Sequence, residues 1–380
     1  MSSDNRQVER NPRDRYEFDK GIDEKEDILS EERIEKPYDP TRIKVDPTPM
    51  PVFQVMRKVE MGEINLQPQF QRKVVWDNVR QSRLIESILI RIPLPSFYLD
   101  AKDDNEWLVV DGLQRLWTLD SFFNKKDLRL QNLEFLGAQL NGKNFDELPR
   151  KFQRQIEETH LNLYVIKPDT PPEVKFTIFY RINTGGMVLS AQEIRHCLYQ
   201  GVATELLMKL ADSKEFLSAT TSSINTKRMD DRECVLRYYA FHHKPYTEYK
   251  ESDFNKFLSS AMVSINKMKP NETKALENSF FRAMRISKGV FGAYAFRKMY
   301  GRRYARNPIN KSLFEAWSVS LEGFDENELI KNKDNIINGF IDKMNKDDVY
   351  LQSITQGTGG VTRVHKRFST TLEIIKEAIS

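Results

Sequence analysis

The stretch VVDGLQRLWTL (109–119) joins two kinds of local structure within eleven residues. Two β-branched apolar residues lead into Asp111 and Gly112, and the apolar residues after the glycine recur at helical spacing. The pattern predicts a buried strand, a tight turn and a helix. Such a turn needs its glycine, but it does not need the amide and guanidinium groups of Gln114 and Arg115. We therefore predict that this turn carries chemistry as well as structure.

Each polar residue of the turn suits one part of a phosphate site. Gly112 lets the backbone approach a ligand closely, and the start of a helix offers unpaired N–H groups to an anion. Arg115 adds a planar fork for phosphate oxygens. Asp111 can hold a divalent cation or accept a proton, and Gln114 can orient a water molecule. A strand–Asp–Gly–helix turn is common by itself, so the motif needs support from elsewhere in the chain.

Two further segments place arginines and amides at the margins of apolar elements. QPQFQRKVVW (67–76) contains Gln71 and Arg72, and RINTGGMVLS (181–190) contains Arg181 and Asn183. The second segment, taken alone, also fits a helix C-cap followed by a loop. Three such segments that converge would form a nucleotide or phosphodiester pocket.

Composition and patterning divide the chain into three regions. Residues 1–45 are charged and poor in periodic apolar positions, which predicts a disordered leader that ends in a proline-rich linker. Residues 46–200 alternate short strands with helices, and residues 201–380 read almost entirely as helix. Asn78 is the predicted N-cap of a helix that Pro93 and Pro95 stop, and SFYLDA (96–101) and EWLVVD (106–111) are predicted to form a hairpin. PEVKFTIFYRI (172–182) is predicted to be a helix, and Ser190 with Glu193 a capping box at the start of the next one. The predicted fold class is α+β, with a small α/β module followed by a mostly helical domain.

The composition excludes several classes of protein. The chain has no apolar run near the length of a membrane helix and no apolar segment at its N-terminus, so we expect a cytoplasmic protein without membrane contact. Cys197 and Cys234 form no paired motif, which argues against a disulfide framework or a zinc site. Residues 1–40 carry a net charge of −5 and the remainder +9. The leader could fold back on a basic surface, but a solvated leader is the simpler interpretation.

Four sequence blocks, taken together, resemble one family. They are FQRKVVW (70–76), LIESILIRIPLP (84–95), VDGLQRLWTL (110–119) and RINTGGMVLSAQEIR (181–195). The order and content are similar to the N-terminal domain of GmrSD-type, modification-dependent restriction systems. The common form of the third block is DGQQR, and this chain has Leu113 where that motif has its first Gln.

The resemblance implies a fold, a ligand and a biological setting. It implies a ParB/sulfiredoxin-like module that binds and hydrolyses an NTP with Mg²⁺, in a DNA-directed defence system against phage. It assigns Asp111, Gln114 and Arg115 to catalysis, with Asp111 also as the metal ligand. It assigns the following residues to phosphate or nucleotide binding: Gln71, Arg72, Gly112, Arg181 and Asn183. Glu86 lies in the second block, where it is either functional or the polar flank of a helix.

The helical half offers two basic stretches that could contact nucleic acid or could equally face water. The stretch FRKMYGRRYAR (296–306) mixes basic and aromatic residues, and QGTGGVTRVHKRF (356–368) follows a glycine-rich loop with three basic residues. The candidate nucleic-acid residues are Arg297, Arg302, Arg303, Arg306, Arg363 and Arg367. The His242–His243 pair lacks the flanking pattern of a ββα-metal nuclease, so DNA cleavage by this chain would have to use the Asp111 pocket or a separate nuclease subunit.

The leading interpretation is NTP hydrolysis coupled to DNA sensing or cleavage. One alternative is a ParB-like nicking nuclease, although two-metal nucleases gather several carboxylates and only Asp111, with doubtful help from Glu86 and Asp120, is near. Asp120 lies beyond the turn on the predicted helix, and we expect it to be exposed. Another alternative is a non-catalytic adaptor that senses nucleotide. The nucleobase, the DNA that is sensed and the oligomeric state do not follow from the sequence.

Overall fold

The computed structural model describes Ile22 and residues 44–66, 76–103, 105–182, 189–251, 253–302 and 305–380. These residues form two compact units. Residues from Lys44 to Leu189 make up the first unit, and Ile22 with the residues from Ser190 onward makes up the second. The predicted leader lies outside the described residues except for Ile22, Lys44 and Val45. No helix in the described ranges has the length and apolarity needed to cross a membrane.

The first unit is built on a mixed five-stranded sheet. Its strands, with a separate two-stranded ribbon, are β1 (Val45–Pro47), β2 (Met50–Pro51), β3 (Ile64–Asn65), β4 (Phe97–Ala101), β5 (Trp107–Asp111), β6 (His160–Leu161) and β7 (Leu163–Ile166). The order in the sheet is β1–β7–β4–β5–β3, and β2 pairs with β6. β4 is antiparallel to β5 and parallel to β7, so the sheet mixes both ladder types.

Within the ranges given above, six helices accompany this sheet. They are α1 (Val52–Glu60), α2 (Asn78–Leu89), α3 (Leu113–Phe123), α4 (Gly137–Leu140), α5 (Arg150–Glu158) and α6 (Pro172–Ile182). The helices predicted after Gly112 and at PEVKFTIFYRI are confirmed, as is the β4–β5 hairpin. The predicted N-cap of α2 is wrong by one residue. Asp77 has the extended backbone and its carboxylate accepts the Arg80 N–H at 2.8 Å, so Asn78 begins the helix instead.

The two faces of the sheet are packed differently. Phe97, Leu99 and Val109 point into an apolar core that also contains Leu116 and Leu119 of α3. On β4 successive side chains alternate between faces, and Asp100 meets Lys175 of α6 at 2.5 Å, with both side chains buried. α3 therefore belongs to an apolar core, whereas α6 is fastened to β4 through an ion pair.

The second unit is helical, as predicted. Its helices are α7 (Ala191–Leu198), α8 (Val202–Ala211), α9 (Lys214–Thr220), α10 (Asp230–His243), α11 (Phe254–Asn266), α12 (Pro270–Phe291), α13 (Lys311–Glu322), α14 (Glu326–Lys331), α15 (Lys333–Lys346), α16 (Asp348–Ser353) and α17 (Val361–Ile379). The capping box predicted at Ser190 and Glu193 is confirmed. Together with the sheet-based first unit, this helical unit confirms the α+β class.

A buried ionic network runs through the centre of the helical unit. Arg195 of α7 and Lys311 of α13 lie 3.5 Å and 3.3 Å from Glu233 of α10, and Arg237 reaches both Glu233 and Glu315. Burial alone would raise the pKa of Glu233, but Lys311, Arg237 and Arg195 together hold it well below its ordinary value. Ion pairs therefore hold α7, α10 and α13 together in the interior of the unit, where helices usually pack through apolar side chains.

The network continues to the last helix. Arg367 of α17 donates from Nε to Glu315 at 2.7 Å and from Nη1 to the Thr358 carbonyl at 2.5 Å, and both charged side chains have no exposed surface. The C-terminal helix is therefore fixed to the middle of the unit by a fully buried pair.

We expect the stability of the helical unit to fall between pH 6.5 and pH 4 because of His196. Burial, with Arg232 as a second cause, lowers the pKa of His196 from 6.5 to about 4. In that interval the unfolded state binds a proton that the folded state excludes, so stability is lost as the pH falls, by about 3 kcal/mol over the whole window.

Thermal unfolding of the wild-type chain and of His196→Gln, followed at several pH values, tests this expectation. The wild type should lose more stability than the variant between pH 6.5 and pH 5. Parallel pH profiles would show that His196 is not a source of the dependence.

Candidate functional site

The turn between β5 and α3 depends on Gly112. This residue has φ +97° and ψ 9°, a left-handed conformation that favours glycine, and it stands at the N-cap of α3. A Cβ atom on Gly112 would lie 2.5 Å from Cδ1 of Phe97. The glycine is thus required both by its backbone angle and by the ring that packs beneath it.

Replacing Gly112 by Ala should destabilise the first unit by about 3 kcal/mol, because the variant adds a steric clash to left-handed strain. Gly142 provides a matched control. Its φ is +84°, but a Cβ there would meet nothing within 4 Å, so Gly142→Ala should lose only about 1 kcal/mol. Chemical denaturation of both variants gives the comparison, and equal losses would mean that the Phe97 contact carries no weight.

Arg115 holds the turn together from the first part of α3. Its guanidinium donates to the carbonyls of Pro95 and Ser96, the latter at 3.2 Å, and it donates from Nη2 to Oδ2 of Asp111 at 3.0 Å. It also lies over the Phe97 ring, 4.5 Å from its centroid. Burial lowers the pKa of Arg115, and the charge of Asp111 opposes that shift. Arg115 therefore orients Asp111 and the segment before β4 at the same time.

Asp111 is the accessible carboxylate of the turn. Its side chain is 36% exposed, compared with 11% for Arg115. Arg115 occupies Oδ2, and within the described part of the chain Oδ1 accepts no hydrogen bond. The carboxylate is thus fixed through one oxygen while the other is open to a ligand.

This arrangement fits a Mg²⁺ ion only if substrate and water supply the rest of its ligands. Mg²⁺ is commonly held by one or two carboxylates with phosphate oxygens and water completing its shell. Asp111 can supply one such oxygen. The described residues contain no group of three or more His, Cys, Asp or Glu side chains placed to bind a metal, so a closed metal site built from them is excluded.

Gln114 connects the first and third sequence blocks. Its Oε1 accepts the backbone N–H of Trp76, the last residue of the FQRKVVW block, at 3.3 Å. The expectation that these two blocks lie together is met at this contact. Gln71 and Arg72 themselves, like Asn183 of the fourth block, lie outside the described residues. Arg181 is described and exposed, at the end of α6.

The two carboxylates considered as helpers have other partners. Glu86 is buried in α2 and accepts the backbone N–H groups of Glu134, Phe135 and Leu136 at 2.9, 2.7 and 2.9 Å. Asp120 was expected to be exposed, and this is wrong. It is buried, pairs with Lys125 at 2.8 Å and accepts from Asn124, because that side of α3 packs inward.

Two candidate nucleic-acid arginines are corrected by the structure. Arg297 is 1% exposed and donates to Thr221, Ser223 and the Asn307 carbonyl, and Arg367 is the partner of Glu315 described above. Both guanidinium groups are buried parts of the fold, so neither faces a nucleic acid in this conformation. The prediction was wrong because the residues adjacent in the sequence do not distinguish a buried arginine from an exposed one.

The other arginines of this set have different environments. Arg302 is half exposed and donates to Asp334 at 2.8 Å, and Arg363 is partly buried and donates to the Gln352 carbonyl at 3.2 Å. Arg306 is partly buried, and Arg303 lies outside the described residues. His242 stacks on Tyr238 and contacts Glu322 at 3.0 Å, so its ring has partners within the fold.

Sequence reasoning missed the acceptors that fix Arg115. The carbonyls of Pro95 and Ser96 and the ring of Phe97 lie about twenty residues before the arginine, at the end of the second sequence block and just after it. The signal was present, because Pro93 and Pro95 favour an extended segment between α2 and β4. However, the pattern of side chains in a sequence does not show which main-chain carbonyls will accept a hydrogen bond from a distant arginine.

The comparison with known proteins agrees with the motif blocks. The family model of the GmrSD restriction endonuclease, N-terminal domain, matches residues 52–200, a range that contains all four blocks. No curated protein matches the chain. Residues 52–200 therefore match the GmrSD restriction endonuclease N-terminal domain family, in agreement with the resemblance of the four blocks.

Proposed function

We propose that this protein binds an NTP at the β5–α3 turn and hydrolyses it, as part of a DNA-directed restriction-type defence system. The observation that carries the proposal is the state of Asp111. This carboxylate is partly exposed, is oriented by Arg115 through one oxygen and offers the other. The family of residues 52–200 supplies the biological setting.

The proposed roles of Asp111, Gln114 and Arg115 follow from the positions of their side chains, and those of the other residues follow from the family resemblance. Asp111 would hold Mg²⁺ and position the attacking water, and Gln114 would orient that water from the adjacent turn. Arg115 would keep Asp111 in place and add positive charge near the phosphates, and Arg72 and Gln71 would form a second wall of the phosphate site. Arg181 and Asn183 would contact the nucleotide from the fourth block. Bound Mg²⁺ would supply charge neutralisation for the phosphate chain.

The backbone contributes an anion site beside these groups. α3 begins at Leu113 after an N-cap that has no side chain to occupy its first N–H groups. These N–H groups and the positive end of the helix dipole favour a phosphate at the turn. Arg115 donates mainly to backbone carbonyls and Asp111, so we assign its largest effect to positioning.

The proposal is tested by phosphate release from each of the four NTPs with Mg²⁺, in the presence and absence of DNA, with the DNA analysed afterwards for nicks. Turnover of at least one NTP is expected, with stimulation by DNA if hydrolysis is coupled to sensing. Nicking without NTP turnover would contradict the proposal and favour a nuclease. Tight nucleotide binding without turnover would contradict hydrolysis and favour an adaptor.

A further inference from the structure

Four residues on neighbouring strands, with Asp111 as the first, form a row across the sheet. In the register of the strands, Asp111 of β5 is opposite Tyr98 of β4, Tyr98 is beside Tyr164 of β7, and Tyr164 is opposite Pro47 of β1. Neighbouring strands are about 4.8 Å apart. Tyr98 is thus one strand and Tyr164 two strands away from the proposed phosphate-binding residue.

The two tyrosines form a stacked pair that remains accessible. Their ring centroids are 5.2 Å apart with an interplanar angle of 16°, and both side chains are only half buried. Among the described residues, neither hydroxyl has a hydrogen-bond partner. A buried tyrosine normally satisfies its hydroxyl within the protein, so this pair is not built as core.

The next row on the same face of the sheet is buried, in contrast to the tyrosine row. Two residues along β4, Asp100 is opposite Leu108 and beside Ile166, and all three are buried. Lys175 of α6 reaches Asp100, so α6 covers this row. The tyrosine row lies toward the end of β5 that carries Asp111, and it keeps its aromatic surface open beside the candidate site.

We propose that Tyr98 and Tyr164 form the stacking surface for the nucleobase of the NTP bound at the Asp111 turn. This inference rests on the proposed function and adds the part of the ligand that the phosphate-binding groups do not address. Stacking on an aromatic face is worth roughly 1–3 kcal/mol per base and does not depend on base identity. The site should therefore accept all four NTPs, with purines bound more tightly than pyrimidines because they offer more ring surface.

A base-free substrate separates stacking from phosphate binding. Tyr98→Leu and Tyr164→Leu keep apolar bulk and remove the ring, and each should raise KM for an NTP about tenfold with kcat nearly unchanged. KM for inorganic tripolyphosphate should not change, because it has no base. Tyr98→Phe and Tyr164→Phe should behave as wild type. Tyr300→Leu, at a tyrosine 38% exposed in the helical unit, is the matched control.

Tyr164→Trp provides a second measurement that does not depend on turnover or on loss of a ring. Its additional fluorescence should be quenched by NTP and not by tripolyphosphate. Equal KM for NTP in wild type and both Leu variants, or equal increases for NTP and tripolyphosphate, would overturn the inference.

The same variant distinguishes the other outcomes. Quenching by single-stranded DNA but not by NTP would assign the pair to DNA and overturn the inference. If the wild type hydrolyses no NTP, the proposed hydrolysis fails, and quenching by NTP alone decides whether the base site stands.

Discussion

Arg115→Lys should reduce NTP turnover about 100-fold although the positive charge is retained. The guanidinium reaches the Pro95 and Ser96 carbonyls and Asp111 together while its face lies on Phe97. A lysine ammonium is a point charge on a flexible stem and cannot fill this planar arrangement. The carboxylate of Asp111 would lose its fixed orientation, and displacement of a catalytic group by about 1 Å typically costs about 100-fold in rate.

Arg129→Lys is the matched control for this experiment. Arg129 is an exposed arginine of the same unit whose guanidinium also has several acceptors. It donates to the Gly142 carbonyl at 2.7 Å and to Glu147 at 2.8 and 3.3 Å. Turnover by Arg129→Lys should equal that of the wild type. Thermal unfolding of each variant checks that the first unit remains folded. An Arg115→Lys enzyme that is folded and fully active would show that orientation of Asp111 does not limit hydrolysis.

Arg367→Met should lower the stability of the helical unit by about 4 kcal/mol, or roughly 10 °C in Tm. The substitution preserves apolar bulk but leaves Glu315 buried without its closest cation, and Arg237 lies farther away, at 3.5 Å. An uncompensated buried carboxylate is destabilising because it has lost both water and its partner. Thermal unfolding followed by circular dichroism measures the loss.

The double variant Glu315→Leu/Arg367→Met distinguishes lost charge pairing from lost packing. It should regain most of the stability that Arg367→Met loses, since no buried charge is left unpaired. Lys346→Met, which breaks the exposed pair with Asp342, should leave Tm unchanged. A double variant as unstable as the single one would show that Arg367 acts through its hydrogen bonds to the Ser353 and Thr358 carbonyls.

Local patterns predicted much of the fold. The periodicity of Leu116 and Leu119 indicated α3, and the spacing of Ser190 and Glu193 indicated the capping box, because in each case the signal lies within one turn of helix. The shift of the α2 N-cap from Asn78 to Asp77 shows where such patterns fail. Both residues cap well, and backbone angles fixed by the preceding chain decide between them.

Partners distant in sequence could not be predicted in the same way. The turn itself was recognised from Asp111, Gly112 and Arg115, but the reach of Arg115 to the Pro95 carbonyl depends on β4 lying beside β5. The burial of Arg297 and Arg367 has a similar cause. The acceptors named above for each guanidinium lie at least nine positions away in the sequence. The composition near an arginine does not reveal which acceptors the fold brings to it.

The most direct test of the central claim is phosphate release from NTP and Mg²⁺ by the wild type, Asp111→Asn and Asp342→Asn in one assay. Asn preserves the shape of each Asp, and Asp342, like Asp111, pairs with a cation four residues later. The account predicts that turnover falls at least about 100-fold in Asp111→Asn and is unchanged in Asp342→Asn. Undiminished turnover by a folded Asp111→Asn protein would contradict it.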